Sequence, residues 1–96
     1  MVYYRKTDHK LIGFDRSRRS NKMYDALLQR KSDKKIIRIP FGDNTMMNYQ
    51  DLTGLNLYPH LLHGDRDRRR RYRARHQGFL KNGFYSPAYF SYYYLW

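Results

Sequence analysis

The stretch from Asp65 to His76 carries the residues best suited to chemistry, because it holds seven arginines within twelve residues. A planar guanidinium binds phosphate or carboxylate through paired hydrogen bonds, so arginines at this density predict contacts with a polyanion. If about six to eight of these cations met the phosphates of duplex DNA, log affinity would fall with log salt at a slope of roughly −5 to −7. The candidate contacts are Arg66, Arg68, Arg69, Arg70, Arg71, Arg73 and Arg75.

Further bases lie in the amino-terminal part of the chain, and we expect them to extend the same phosphate footprint. They are Arg16, Arg18, Arg19, Lys31, Lys34 and Lys35. The whole chain has 20 Lys and Arg against 8 acidic residues, a net charge of +12. This excess favours a nucleic acid as the partner. In the alternative interpretation, the arginines pair with Asp side chains and backbone carbonyls, or cover aromatic faces.

A weak candidate for a metal site is formed by three histidines and one aspartate: His60, His63, Asp65 and His76. Pro59 and Gly64 interrupt regular structure there, so packing and capping roles are favoured and we expect no metal. A nuclease would need this set together with Asp43 or Asp51. The chain has no Cys, no hydrolase motif and no Gly-x-x-x-x-Gly-Lys loop, so the sequence predicts a protein that is not an enzyme and uses no cofactor.

The carboxy-terminal residues form an aromatic tail, with nine aromatic side chains between Phe79 and Trp96 and no charged side chain from Asn82 onward. These side chains can fill the core or contact a protein partner. The candidates for protein contact are Tyr89, Tyr92, Tyr93 and Trp96. Three other tyrosines beside arginines are candidates for stacking on exposed bases: Tyr3, Tyr4 and Tyr72. The tail is too short to span a membrane and the amino terminus lacks a secretion signal, so we expect neither transmembrane nor secreted protein.

The sequence predicts that these residues are positioned by the helices and strands of an α+β fold, in one small domain, 1–96. Its parts are a β-hairpin region (1–43), a neutral connector with a short helix (44–64), an Arg-rich helix (65–77) and the aromatic tail (78–96). The predicted hairpin joins Lys22–Gln29 to Lys35–Phe41 through a basic loop. Pro40 indicates that the second strand lies at a sheet edge or that the residue lies at a strand end. A third strand is predicted at Lys10–Asp15, and whether the hairpin pairs with it or with another chain stays open.

Local signals also predict three helices. One spans Thr45–Leu52, and a second follows an N-cap at Asp65 and ends at Gly78. The third covers Ala88–Trp96 after the N-cap and first-turn proline of Ser86-Pro87. In the second helix we expect an inward face formed by Tyr72, His76, Phe79 and Leu80. We expect two outward arginine stripes, one formed by Arg66, Arg70 and Arg73 and the other by Arg68, Arg71 and Arg75. The connector supplies further core candidates: Leu55, Leu57, Leu61 and Leu62.

Several short motifs occur in a characteristic order: Phe41-Gly42-Asp43, Tyr49-Gln50-Asp51-Leu52-Thr53-Gly54-Leu55, His60-Leu61-Leu62-His63-Gly64-Asp65 with Arg68-Arg69, Tyr72 and Arg75-His76, and Tyr85-Ser86-Pro87-Ala88-Tyr89-Phe90-Ser91-Tyr92-Tyr93-Tyr94-Leu95-Trp96. They resemble a family of small basic proteins encoded by large DNA viruses of algae and protists, over about the last two thirds of the chain. The Ser-Pro-x-Tyr-Phe-Ser element is the most specific part. Ala88 stands where Gly is usual in that family, which favours continuation of the helix. The resemblance implies a virus-encoded setting and no catalytic residues.

Together these observations predict a virus-encoded, non-enzymatic protein that binds nucleic acid largely without regard to sequence. DNA is the expected partner in preference to RNA, and neutralisation or condensation of the genome, in the virion or virus factory, is the expected role. The alternative is a minor capsid or cement protein. Its Arg helix would meet acidic surfaces of coat or other virion proteins, and its aromatic tail would serve as the anchor. The oligomeric state stays open.

Overall fold

A computed structural model describes residues 4–80 and 83–96, except for the side chain of Phe79; Tyr3 therefore lies outside the described residues. The fold is α+β, as the sequence predicts. In chain order its elements are β1 (Tyr4–Arg5), β2 (His9–Arg16), β3 (Lys22–Arg30), β4 (Ile36–Asp43), a 3-10 turn (Pro59–Leu61), α1 (Arg66–His76), a second 3-10 turn (Gln77–Leu80), β5 (Phe84–Tyr85), α2 (Pro87–Phe90) and a π-helical turn (Ser91–Leu95).

The main sheet contains three antiparallel strands in the order β2-β3-β4. The predicted hairpin is confirmed, with Tyr24 opposite Phe41 and Leu28 opposite Ile37. The open pairing question is also answered, because β2 of the same chain pairs with β3 along its whole length. Strand β4 lies at an edge of this sheet, which accommodates Pro40, a residue with no N–H to donate.

The core lies between one face of this sheet and the aromatic tail. In strand β3 the alternate residues Tyr24, Ala26 and Leu28 are completely buried, and Met23 at its start is completely buried as well. From the tail, Phe90 and Leu95 are also completely buried, and they belong to the same hydrophobic cluster. The tail therefore covers the sheet, and burial of its aromatic side chains supplies much of the apolar contact that so short a chain can form.

The tail is wound differently from the single α-helix that the sequence predicts over Ala88–Trp96. The Ser86 hydroxyl caps its start by accepting the N–H of Tyr89 at 3.1 Å, as expected, but the chain becomes π-helical after Phe90. A π-turn bonds residues five apart, so Phe90 and Leu95 both reach the core. The four tail residues that the sequence offers as protein contacts differ in exposure: Tyr92 and Trp96 are buried, Tyr89 is half-buried and Tyr93 is exposed.

The predicted helix Thr45–Leu52 does not form. The N–H groups of this segment bond to distant carbonyls instead: Tyr49 and Gln50 both donate to Leu95 at 3.0 Å, and Leu52 donates to Tyr94 at 2.9 Å. The connector thus satisfies carbonyls at the end of the π-turn, which a local helix would leave unpaired. The four connector leucines predicted for the core are all partly buried. Leu55, Leu57 and Leu61 pack against the core cluster, whereas Leu62 lies outside that cluster.

A buried tyrosine ties the connector to the sheet. The Tyr24 hydroxyl donates to the Asp51 carboxylate and accepts the N–H of Leu57 at 3.1 Å. Burial, and then the hydrogen bond to Asp51, raise the pKa of Tyr24 to about 12. The phenol therefore stays neutral and holds both ends of the irregular segment in place.

A second, two-stranded sheet pairs β1 with β5, with Tyr4 opposite Tyr85. Two-residue strands carry no detectable periodicity, so this pairing was not foreseeable from sequence pattern. It places Tyr4 half-buried against the core and edge-on to His9 at 5.5 Å, rather than in the exposed position that base stacking would require.

Gly42 should be intolerant of a side chain. Its φ is +75°, and a Cβ there would lie 3.0 Å from Leu95 Cδ1 and 3.1 Å from Met23 Sδ, both in fully buried residues. We expect Gly42→Ala to lower the free energy of unfolding by about 2–3 kcal/mol, from backbone strain plus overpacking. Urea denaturation measures this loss.

Gly54→Ala is the matched control, since Gly54 has a φ of +85° but open space where the Cβ would stand. Strain alone should cost about 1 kcal/mol there. Equal losses in the two variants would show that the contact between Gly42 and the tail contributes nothing.

Candidate nucleic-acid interface

Helix α1 begins as the sequence predicts. Asp65 is its N-cap, and the carboxylate accepts the N–H groups of Asp67 at 2.9 Å and Arg68 at 3.2 Å. These hydrogen bonds, that from Arg68 foremost, hold the pKa of Asp65 below its ordinary value. The acids thus lie in the first turn and several bases in the last, as the helix dipole favours. The predicted end at Gly78 does not hold: α1 ends at His76, and the chain continues as a 3-10 turn through Gly78 to Leu80.

Five of the seven arginines in α1 are exposed: Arg66, Arg68, Arg70, Arg71 and Arg75. Among the described residues, the one acidic side chain that forms an ion pair with this group is Asp67, which lies 3.5 Å from Arg70. Both members of that pair are more than 70% exposed, so it contributes little to stability. The helix therefore presents five exposed guanidinium groups, called the arginine row below, whose charge is largely uncompensated by neighbouring carboxylates. Arg66 and Arg70 lie on one side of the helix, and Arg68, Arg71 and Arg75 on another.

The other two arginines of the helix hold it against the tail and connector. The Arg69 Nε donates to the backbone oxygen of Trp96 at 2.7 Å, and its guanidinium lies 4.8 Å from the Tyr49 ring centre. Arg73 lies 4.2 Å from the ring centre of Tyr92 and donates to its carbonyl at 3.5 Å. The outward position expected of Arg73 is therefore wrong, because cation–π attraction and a carbonyl acceptor draw it inward.

Tyr72 fixes the inner side of the helix, as predicted. Its ring stacks on Trp96 with centres 4.2 Å apart and planes at 5°, and on His76 at 4.1 Å. Burial raises the pKa of Tyr72. Since this ring is already engaged in two stacks, it is not placed to stack on a nucleic-acid base.

A groove of about 690 Å³ runs beside the helix. Helix α1 contributes Arg68, Arg71 and Arg75, while the connector contributes Met46 and Met47, which are 60% and 41% exposed. The three arginines are the second stripe that the sequence predicts, and the structure places all of them in one groove. Sequence reasoning missed the methionines, because a short helix was predicted where they lie in an exposed loop.

One carboxylate, that of Asp43, also lines the groove. It accepts hydrogen bonds from the Thr45 hydroxyl at 2.6 Å and the Thr45 N–H at 2.8 Å, which lower the pKa of Asp43. The groove therefore carries one fixed negative charge against three positive ones, and its net charge remains positive.

The basic loop after β2 lies at the same end of the sheet as this groove. Lys22, which follows the loop, pairs with Asp43, and the Asn44 side chain donates to the Ser20 carbonyl at 2.6 Å. The carboxylate of Asp25 binds the start of this loop and is itself paired with an arginine. It accepts hydrogen bonds from Ser17 Oγ at 2.7 Å and from Arg38 Nε at 2.8 Å. The exposed cations at this end of the sheet are Arg16, the last residue of β2, and Arg18 and Arg19 in the loop.

The second basic loop lies at the opposite end of the sheet. It connects β3 to β4 beyond the paired residues Gln29 and Ile36. That pair lies seven residues along the strands from the Lys22–Asp43 pair, which is roughly 23 Å at the usual rise per residue. Its exposed cations are Lys31, Lys34 and Lys35. The sheet thus separates the two groups that the sequence analysis joins in one footprint.

Within residues 4–80 and 83–96, no three His, Asp or other ligand-type side chains gather as a metal site would require. The predicted candidates have structural contacts instead. His63 Nδ1 accepts the N–H of Asp65 at 2.8 Å, and Asp51 bonds Tyr24 and Thr53. A nuclease centre built on them has no support in this geometry.

The His63 contact predicts a pH dependence. Burial, and then the charge of Arg68, lower the pKa of His63 from its ordinary value near 6.5. The unfolded chain therefore binds a proton more readily than the folded one, and stability should fall as pH drops from about 7 to about 5. We expect His63→Gln to flatten this part of the Tm against pH curve, while His60→Gln, at an exposed position, leaves it unchanged. An identical curve for His63→Gln would contradict the assignment.

The chain matches no protein-family profile, no curated protein and no solved structure. In the part of the chain that the structure describes, the helices lack the length and apolar character needed to cross a membrane.

Proposed function

We propose that this is a non-enzymatic protein that binds nucleic acid, DNA in preference to RNA, largely independently of sequence. The observation that carries the proposal is the row of five exposed arginines on α1, of which one alone has an acidic partner among the described residues. Such a row repels itself in water, and dense phosphate relieves that repulsion. The resemblance to basic proteins of large DNA viruses supports a role in neutralising or condensing a genome in the virion or virus factory.

The geometry also narrows the proposed footprint. The groove arginines of α1 and the exposed arginines at and just after the end of β2 lie at one end of the sheet, so we place the phosphate contacts there. Arg69 and Arg73 are assigned to holding the helix in place. Five helix cations would give a salt slope of about −4.5 on duplex DNA, and the three loop arginines would bring it toward about −7.

The rival role, a capsid or cement protein anchored by its tail, is less well supported by these contacts. Tyr92 and Trp96 are 8% exposed, and Tyr93 is the one clearly exposed residue of the four candidate anchors. Binding of the arginine row to acidic coat surfaces would still use the same charges, so the two roles differ in the anion that is recognised.

Gel shifts with duplexes of random and of fixed sequence, at about 50 mM salt, test the proposal. We expect micromolar or tighter binding that differs by less than about threefold between sequences. Polyaspartate of matched charge, added as competitor, should displace the protein far less effectively than unlabelled DNA. No shift at this salt would overturn the proposal, and polyaspartate that competes as well as DNA would favour the rival role.

A further inference from the structure

We propose that the groove beside α1 binds single-stranded nucleic acid, with phosphates on Arg68, Arg71 and Arg75 and a base against Met46 and Met47. This inference rests on the proposed function and adds a substrate class to it. The groove's residues come from separate parts of the chain, and they combine a cationic side with an exposed apolar side.

The cationic side fits a short run of phosphates. Arg68, Arg71 and Arg75 are spaced i, i+3 and i+7, so they occupy one face and span about 10 Å along the helix axis. A single strand that keeps the ~3.4 Å rise of one strand of B-form DNA would place about three phosphates along that length. Asp43 is the one acid among the groove's lining residues, and Thr45 already holds it by two hydrogen bonds.

The apolar side distinguishes single strands from duplexes. Met46 and Met47 are the large apolar side chains of the groove that are exposed, and thioethers pack readily against flat aromatic surfaces. A duplex buries the faces of its bases in the stack and offers this groove base edges, sugar and phosphate. A single strand can turn a base toward the methionines while its backbone stays on the arginines. A purely acidic chain would satisfy the arginines and leave the methionines in water.

Fluorescence anisotropy with the full chain tests the inference, using oligothymidylate of about a dozen nucleotides and a duplex of equal length. We expect Met46→Ser/Met47→Ser to weaken binding to the single strand about fivefold or more, with less than twofold change for the duplex. Leu52→Ser is the matched control, because Leu52 is 57% exposed but does not line the groove, and it should leave both affinities unchanged. Arg68→Gln/Arg71→Gln/Arg75→Gln should weaken both.

The possible failures are distinct. Equal binding of both nucleic acids with no effect of the methionine variant would overturn the groove assignment and leave the proposed function standing. Loss of binding to both ligands in the methionine variant, with circular dichroism unchanged, would likewise overturn the single-strand preference. Failure of the natural sequence to bind either nucleic acid would overturn both proposals. An oligoglutamate that binds more tightly than oligothymidylate, with the same dependence on the methionines, would assign the groove to an acidic protein instead.

Discussion

Replacing Arg68, Arg71 and Arg75 together with Gln should make the slope of log affinity for duplex DNA against log salt less negative by about 3. Each lost phosphate contact removes about 0.9 from the magnitude of that slope. These side chains are exposed and, among the described residues, have no acidic partner. The helix should survive because its cap, its stack on Trp96 and the anchoring Arg69 and Arg73 contacts are untouched. Affinity measured across a salt series, with circular dichroism as the check on folding, gives the result.

A matched variant at the other end of the sheet provides the control. Changing Lys31, Lys34 and Lys35 to Gln removes the same charge, but from a loop roughly 23 Å along the sheet from the groove end. We expect its slope to change by less than about 1. Equal changes in the two variants would mean that net charge, not the position of the arginine row, determines binding.

Asp25→Asn should destabilise the fold by about 3 kcal/mol or more, because it removes one partner of a buried ion pair. The Asp25 side chain is 3% exposed and lies 2.8 Å from Arg38 Nε. Burial alone would raise the pKa of Asp25, but hydrogen bonds from Arg38, Ser17 and the Arg18 N–H outweigh it and lower the pKa. The carboxylate's contribution is thus present above about pH 4 and lost as pH falls through the folded-state pKa.

Asp15→Asn is the comparison that isolates burial. Asp15 lies 3.0 Å from Nη2 of the same Arg38, but its side chain is 58% exposed. We expect a loss of less than about 1 kcal/mol, since solvent screens an exposed pair. Comparable losses for the two variants, measured by chemical denaturation near pH 7, would contradict the buried network. The Asp25 variant should also loosen the loop that carries Arg18, whose N–H bonds that carboxylate.

Local signals account for the parts of the fold that the sequence predicts correctly. The period-two pattern of Ile37, Ile39 and Phe41, the N-cap at Asp65 and the Ser86-Pro87 start each act within a few residues, and each is present in the structure. The density of arginine likewise marks the helix that bears the candidate site.

The parts that sequence reasoning misses depend on contacts between distant residues. The connector is not helical because Tyr49, Gln50 and Leu52 bond the tail's carbonyls, more than forty residues away. Arg69 faces inward because Trp96 offers it a backbone oxygen and Tyr49 an aromatic face. Arg73 faces inward because Tyr92 offers it both. A single sequence contains no local sign of either arrangement. The groove follows from both, since an unwound connector and an anchored helix together form it.

Affinity for random-sequence duplex DNA as a function of salt tests the central claim most directly. If the arginine row and the neighbouring loop are the phosphate-binding surface, log affinity should fall linearly with log salt at a slope between about −4 and −7. Binding that is undetectable at about 50 mM salt, or that changes little as salt rises, would contradict it.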